Sequence, residues 1–139
     1  MTTPVPAAGV ICFRDEAVLL IRRGTPPRLG EWSLPGGRVE WGERCAEAAL
    51  RELFEETAVR ARLLGLVDVV DGLFPGKDGM ERHYVLIDYA ARWIEGEPVA
   101  GDDAAEARFW PIEEAVGLVA WGETKRVIRE AWARFGPEP

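Results

Sequence analysis

The chain has 139 residues and a formal net charge of −7, with a sequence pI near 4.8, long enough for one domain with its own core and no disulfide or metal staple. Its acidic balance excludes sequence-independent nucleic-acid binding, which needs a basic surface to displace phosphate counterions. No apolar run reaches the length of a membrane span, and a composition of 47% hydrophobic and 29% charged residues is that of an ordinary globular protein.

In chain order, residues 7–13 and 17–22 read as a strand pair joined by the short turn "RDE". "RRGTPPRLGEWSLPGG" follows, a Pro/Gly-rich loop with a short strand around 32–34. Residues 43–57 carry helical periodicity and are followed by an extended segment at 63–70. "DGLFPGKDGM" reads as a turn-rich loop, and "RHYVLIDYAARW" as a long strand. The acidic stretch "EGEPVAGDDAAE" leads to a short strand at 107–110. Pro111 opens a helix at "PIEEAVGLV", and residues 121–135 form a second, amphipathic one. Strands on both sides of a central helix, with more helix at the end, predict an α/β (α+β) fold: a mixed β-sheet flanked by helices. No repeat or composition break divides it, so 1–139 is expected to be a single domain. Cys12 and Cys45 lie far from metal-ligand spacing and are expected to be free thiols. The N-terminal stretch lacks the basic and long apolar regions of a secretory signal, so a cytoplasmic protein is expected.

The helix at 43–57 concentrates charge. Glu52, Glu55 and Glu56 stand at spacings of three and four, with no lysine to compensate them, and like charges so placed repel by a few tenths of a kcal/mol per pair (~0.2–0.5). At about 100° per residue, Ala46, Ala49, Leu50, Leu53 and Phe54 cluster as the expected core face. The three glutamates share one flank, Glu56 nearest the apolar edge, with Arg44 and Arg51 beyond Glu55. A solvated acidic face is the plain alternative. A divalent cation among the carboxylates would remove their repulsion, and an all-oxygen donor set suits Mg²⁺, Mn²⁺ or Ca²⁺. Gly36 and Gly37, just ahead of the helix, let backbone approach a ligand and can offer a carbonyl.

These residues carry a resemblance. Gly37, five residues, Glu43, seven residues and then "RELFEETAV" resemble the Nudix box, G-x5-E-x7-R-E-U-x-E-E-x-G-U with U aliphatic. Gly37, Glu43, Arg51, Glu52, Leu53, Glu55, Glu56 and Val59 match, and Ala58 alone departs, where the pattern has glycine. The box spans 37–59, and the order of elements is similar to the Nudix α/β/α sandwich. The resemblance implies hydrolysis of a nucleoside diphosphate linked to another group, with Mg²⁺ or Mn²⁺ as cofactor. It implies Glu55 and Glu56 as metal ligands, Glu52 as ligand or base, the Gly36 carbonyl in the metal shell, and Arg51 with Glu43 as a mostly structural ion pair. Glu106, in "EARFW", resembles an acid that the family often contributes from outside the box; Glu81, Asp102 and Asp103 are its competitors.

"GEWSLPGGRVEWGE" and "HYVLIDYAAR" look most like the ADP-ribose pyrophosphatase-like branch. The expected partner is therefore a small nucleotide, with neither nucleic acid nor membrane, and a homodimer is compatible with that branch. Trp41, between the glycine pair and the helix, is a candidate to stack on a base, with structural burial the alternative. Arg22, Arg23 and Arg28 are candidate substrate donors, with solvated loop arginines the alternative. His83, the one histidine, is expected to pack or touch substrate rather than act as a base. The alternatives in activity are a nucleoside-triphosphate house-cleaning pyrophosphatase, a dinucleoside polyphosphate hydrolase and, from another class, a non-catalytic nucleotide sensor.

Overall fold

The computed structural model describes residues 3–26 and 28–137; the outermost residues of the expected 1–139 domain lie outside them. Strands β1 (Val5–Arg14), β2 (Ala17–Arg23), β3 (Trp32–Ser33) and β4 (Gly36–Arg38) precede helix α1 (Cys45–Thr57). Strands β5 (Arg60–Gly76), β6 (Gly79–Glu95) and β7 (Ala104–Pro111) follow, then helices α2 (Ile112–Leu118) and α3 (Gly122–Phe135). The strands form one mixed sheet in the order β3-β2-β1-β6-β5, with β4 added to β1 and β7 to β2. β1 and β6 run parallel and the other pairs antiparallel.

The two faces follow from the alternation of side chains along a strand. Val10, Cys12 and Leu19 pack with Ala48, Ala49 and Leu53 of α1 on one face. Ile11, Phe13, Val18 and Leu20 pack with α2 and α3 on the other. The result is the expected sandwich of helix, mixed sheet and helices. Cys12 is fully buried and Cys45 partly so, both as free thiols.

Three expectations are corrected. The segment "DGLFPGKDGM" is not a loop: β5 runs to Gly76, β6 starts at Gly79, and only Lys77 and Asp78 turn between them. β5 pairs with β6 alone, so Pro75 lies on an edge where its missing N–H costs little, with a register shift beside it. Helix α1 begins at Cys45 rather than Glu43, because Glu43 folds back to accept the Glu40 backbone N–H at 3.0 Å. Its core face is also rotated. Ala48, Ala49 and Leu53 are buried, whereas Leu50 and Phe54 are exposed, with the Arg60 guanidinium over the Phe54 ring at 4.3 Å. The rotation turns Glu52 and Glu56 inward, where backbone and arginine donors meet them.

Candidate functional site

Arg51 lies at the centre of the acidic helix. Its Nε donates to Glu43 Oε2 at 2.7 Å, Nη1 donates to Glu52 Oε1 at 2.8 Å and to Glu55 Oε2 at 3.2 Å, and Nη2 reaches the Arg38 carbonyl at 3.1 Å. One guanidinium thus bridges three glutamates and ties α1 to β4: the Arg51–Glu43 pair that the family resemblance implies forms, and Arg51 also meets Glu52 and Glu55, for which helical spacing alone offers no partner. Its hydrogen bonds, with the Glu40 N–H, hold the Glu43 carboxyl down at about 2. Glu52 is pushed up by burial, against the pull of Arg51. Glu56 is pushed up to about 8, first by burial and then by the charges of Glu52 and Asp102, and is opposed by the hydrogen bond from the Gly36 N–H.

Among the described residues, no three acidic, histidine or cysteine side chains close into a ready-made cation cage. The donor set nevertheless fits a hard divalent ion. Glu52 Oε1 and Glu55 Oε2 are taken by Arg51, and Glu56 Oε1 accepts the Gly36 N–H at 2.8 Å. Each carboxylate thereby keeps its other oxygen for a ligand. Gly37 leaves room for the arrangement, since a β-carbon there would lie 2.5 Å from the Glu52 carboxyl carbon. An oxygen-only donor set of carboxylates and a backbone carbonyl favours a cation of the Mg²⁺ or Mn²⁺ kind.

The outlying candidates divide. Glu106 stands opposite Arg22 in the β2–β7 register and pairs with it at 3.1 Å. Asp102, in the loop before β7, is the acid whose charge reaches Glu52 and Glu56. That loop docks on the end of α1 through the Gly101 N–H to the Glu56 carbonyl at 3.0 Å. Trp41 is fully exposed and does not line the cavity described next. Arg23 and Arg28 do line it, Arg28 with its guanidinium 4.4 Å over the Phe74 ring.

That cavity, of about 480 Å³, opens on the α3 face of the sheet. Strand β4 joins it to the carboxylates: Gly36 and Gly37 line the cavity while touching Glu56 and Glu52. Trp32 and Trp121, with Phe74 and Tyr84, give it aromatic walls; Arg82 and Glu81 add charge, and Asp88 and Gly9 line it too. Trp32 both packs against the core and lines the cavity. The sequence reading passed over Trp121, Phe74 and Asp88 as site residues. Asp88 had a signal, being one acid inside the apolar run "YVLIDYAA". The two aromatics had none, because their segments come together only when the long β5–β6 hairpin meets the start of α3.

A profile of the NUDIX domain matches residues 3–131. The chain is 38% identical over 109 residues to an ADP-ribose pyrophosphatase of Methanocaldococcus jannaschii, covering 78% of this chain and 63% of that protein. It is 30% identical over 141 residues to an 8-oxo-(d)GTP phosphatase of Mycolicibacterium smegmatis, covering 90% of this chain and 40% of the relative. The chain therefore spans less than two thirds of either relative. Among solved structures, a MutT NUDIX hydrolase from Burkholderia pseudomallei superposes with a TM-score of 0.76 at 28% identity, covering 92% of this chain and 98% of that one. The box residues, the mixed sheet between helices and the length of the profile match agree, and the chain belongs to the NUDIX hydrolase family.

Proposed function

We propose that this chain is a cation-dependent pyrophosphohydrolase that cuts ADP-ribose at its pyrophosphate to give AMP and ribose 5-phosphate. The observation that carries the reading is the double contact of β4, whose Gly36 and Gly37 border both the α1 carboxylates and the aromatic cavity. A substrate crossing β4 would present its phosphates to the carboxylates and one of its ends to the cavity. The 38% identity to the archaeal ADP-ribose pyrophosphatase supports the choice of substrate.

Glu52, Glu55 and Glu56, with the Gly36 carbonyl, would hold Mg²⁺ or Mn²⁺. When bound, such an ion neutralises charge on the non-bridging phosphate oxygens and acidifies an attacking water. The chain's own part is positioning. Arg51 fixes the rotamers of Glu52 and Glu55 and, with Glu43, braces the segment between β4 and α1. The carboxylates receive the water proton as a coupled set rather than singly. Asp102 adds negative charge near Glu52 and Glu56, while Arg23 and Arg28 would supply donors along the cavity wall. Among the described residues no helix is long and apolar enough to cross a membrane, and a nucleotide substrate of this kind suits the cytoplasm.

A triphosphate pyrophosphohydrolase is the second reading, supported by the 30% identity to the M. smegmatis relative. A substrate panel read by product identity separates the two. ADP-ribose should show the highest kcat/KM, with AMP as product and little inorganic pyrophosphate. A nucleoside triphosphate better by tenfold, about 1.4 kcal/mol in transition-state binding, would overturn the assignment and leave the family chemistry standing.

A further inference from the structure

Asp88 is 7% exposed, lines the cavity and, among the described residues, meets no side-chain hydrogen-bond donor. Directly across β5–β6 stands Asp68, and Asp68 has taken the nearby guanidinium: Arg126 Nη2 donates to it at 2.9 Å and to Glu123 at 2.7 Å. On the other side is Gly9 of β1, where a β-carbon would fall 2.5 Å from Asp88 Oδ1. Glycine at position 9 thus makes the space in which the carboxylate lies. A largely buried carboxylate is costly unless water or a ligand supplies a donor, and Asp88 faces the cavity from which either would come.

We propose that Asp88 selects the base of the nucleotide, accepting a hydrogen bond from an exocyclic amino group of a purine seated in the cavity. This rests on the reading above that the cavity takes one end of a nucleotide. An ionised carboxylate only accepts, so it disfavours phosphate and any base that meets it with an acceptor instead of an amino group. The neighbouring rings, with Phe74 and Trp121 centroids 5.3 Å apart and Trp32 and Tyr84 on the same cavity, offer faces on which a base can stack. Stacking is indifferent to the base; the acceptor is what distinguishes one from another. Sites that hydrogen-bond a substrate donor discriminate strongly against analogues lacking it, because their own buried group is left unpaired.

The test compares kcat/KM within purine pairs that differ at the amino group and keep ribose and phosphates unchanged: ADP-ribose against its hypoxanthine analogue, ATP against ITP, and GTP against ITP. Wild-type protein should favour the amino-bearing member at least tenfold in the pair that carries its substrate. Asp88→Leu, which removes the acceptor, should bring that ratio to within threefold. A wild-type ratio within threefold in every pair, or an Asp88→Leu ratio equal to wild type, would overturn the proposal. The wild-type comparison decides even if the variant does not fold. Discrimination confined to the triphosphate pairs would uphold the role of Asp88 while refuting ADP-ribose as substrate.

Discussion

A β-carbon on Gly37 would meet the carboxyl group of Glu52 at 2.5 Å from its carbon and at 2.6 Å and 2.8 Å from its oxygens. A side chain at position 37 would therefore force the Glu52 carboxylate to move, independently of any turn. Gly37→Ala should displace Glu52 from Arg51 and lower kcat/KM at least about tenfold, or ~1.4 kcal/mol. The far-UV spectrum should remain that of the folded protein. Full activity would show that Glu52 can move without consequence.

Asp102 and Glu106 separate the charge that serves the carboxylates from the charge that serves the sheet. Asp102 acts electrostatically on Glu52 and Glu56, whereas Glu106 is paired with Arg22 at 3.1 Å. Asp102→Asn should raise the Mg²⁺ concentration needed for half-maximal rate several-fold, and Glu106→Gln should change it less than twofold. Cation titration of the rate checks both. The reverse order would return Glu106 to the metal shell that the family resemblance implies.

Ala58 closes α1 with φ 61° and ψ 13°, its N–H bonded to the Phe54 carbonyl. It occupies, without being glycine, the left-handed position that the Nudix pattern gives to glycine. Such a conformation costs an alanine about 1 kcal/mol. Ala58→Gly should therefore raise the melting temperature by about 2–4 °C with kcat/KM unchanged. A lower melting temperature would show that the helix end relaxes around the alanine.

Burial, with the charge of Asp68 added, pushes the Asp88 carboxyl up to about 6 from 3.8. The folded chain then binds more protons than the unfolded chain between those values, so this group's contribution to stability falls as pH rises through that window. The cost is complete above it, about 1–3 kcal/mol. Asp88→Asn should be more stable than wild type at pH 7 by such an amount, with the gap closing below about pH 4. Urea unfolding at several pH values measures it. A gap independent of pH would mean that Asp88 is not the group responsible.

The carboxylate cluster was legible because Glu52, Glu55 and Glu56 are local: helical spacing alone brings them together, and Gly37 with Glu43 fixes their frame. The cavity was not, because Phe74, Asp88 and Trp121 belong to three elements united only by the sheet register and the placing of α3. Periodicity also misjudged the rotation of α1. Leu50 and Phe54 are more apolar than Ala48, yet the helix turns toward the Gly36 N–H and buries Glu56 instead. The β5–β6 hairpin was hidden for a similar reason. Gly72, Pro75 and Gly76 read as loop until β5 is known to be an edge strand, where such residues are tolerated.

The central claim is that the α1 carboxylates act by holding a divalent cation on a pyrophosphate. The most direct measurement is the Mg²⁺-dependent rate of AMP formation from ADP-ribose by wild type, Glu55→Gln and Glu56→Gln, each also assayed with chelator. Each substitution removes one charge while keeping the shape of the side chain. Turnover should fall at least about a hundredfold, ~2.7 kcal/mol, in both variants with folding intact, and wild type should be silent in chelator. Near-normal rates in both variants, or wild-type turnover that persists in chelator, would contradict the account.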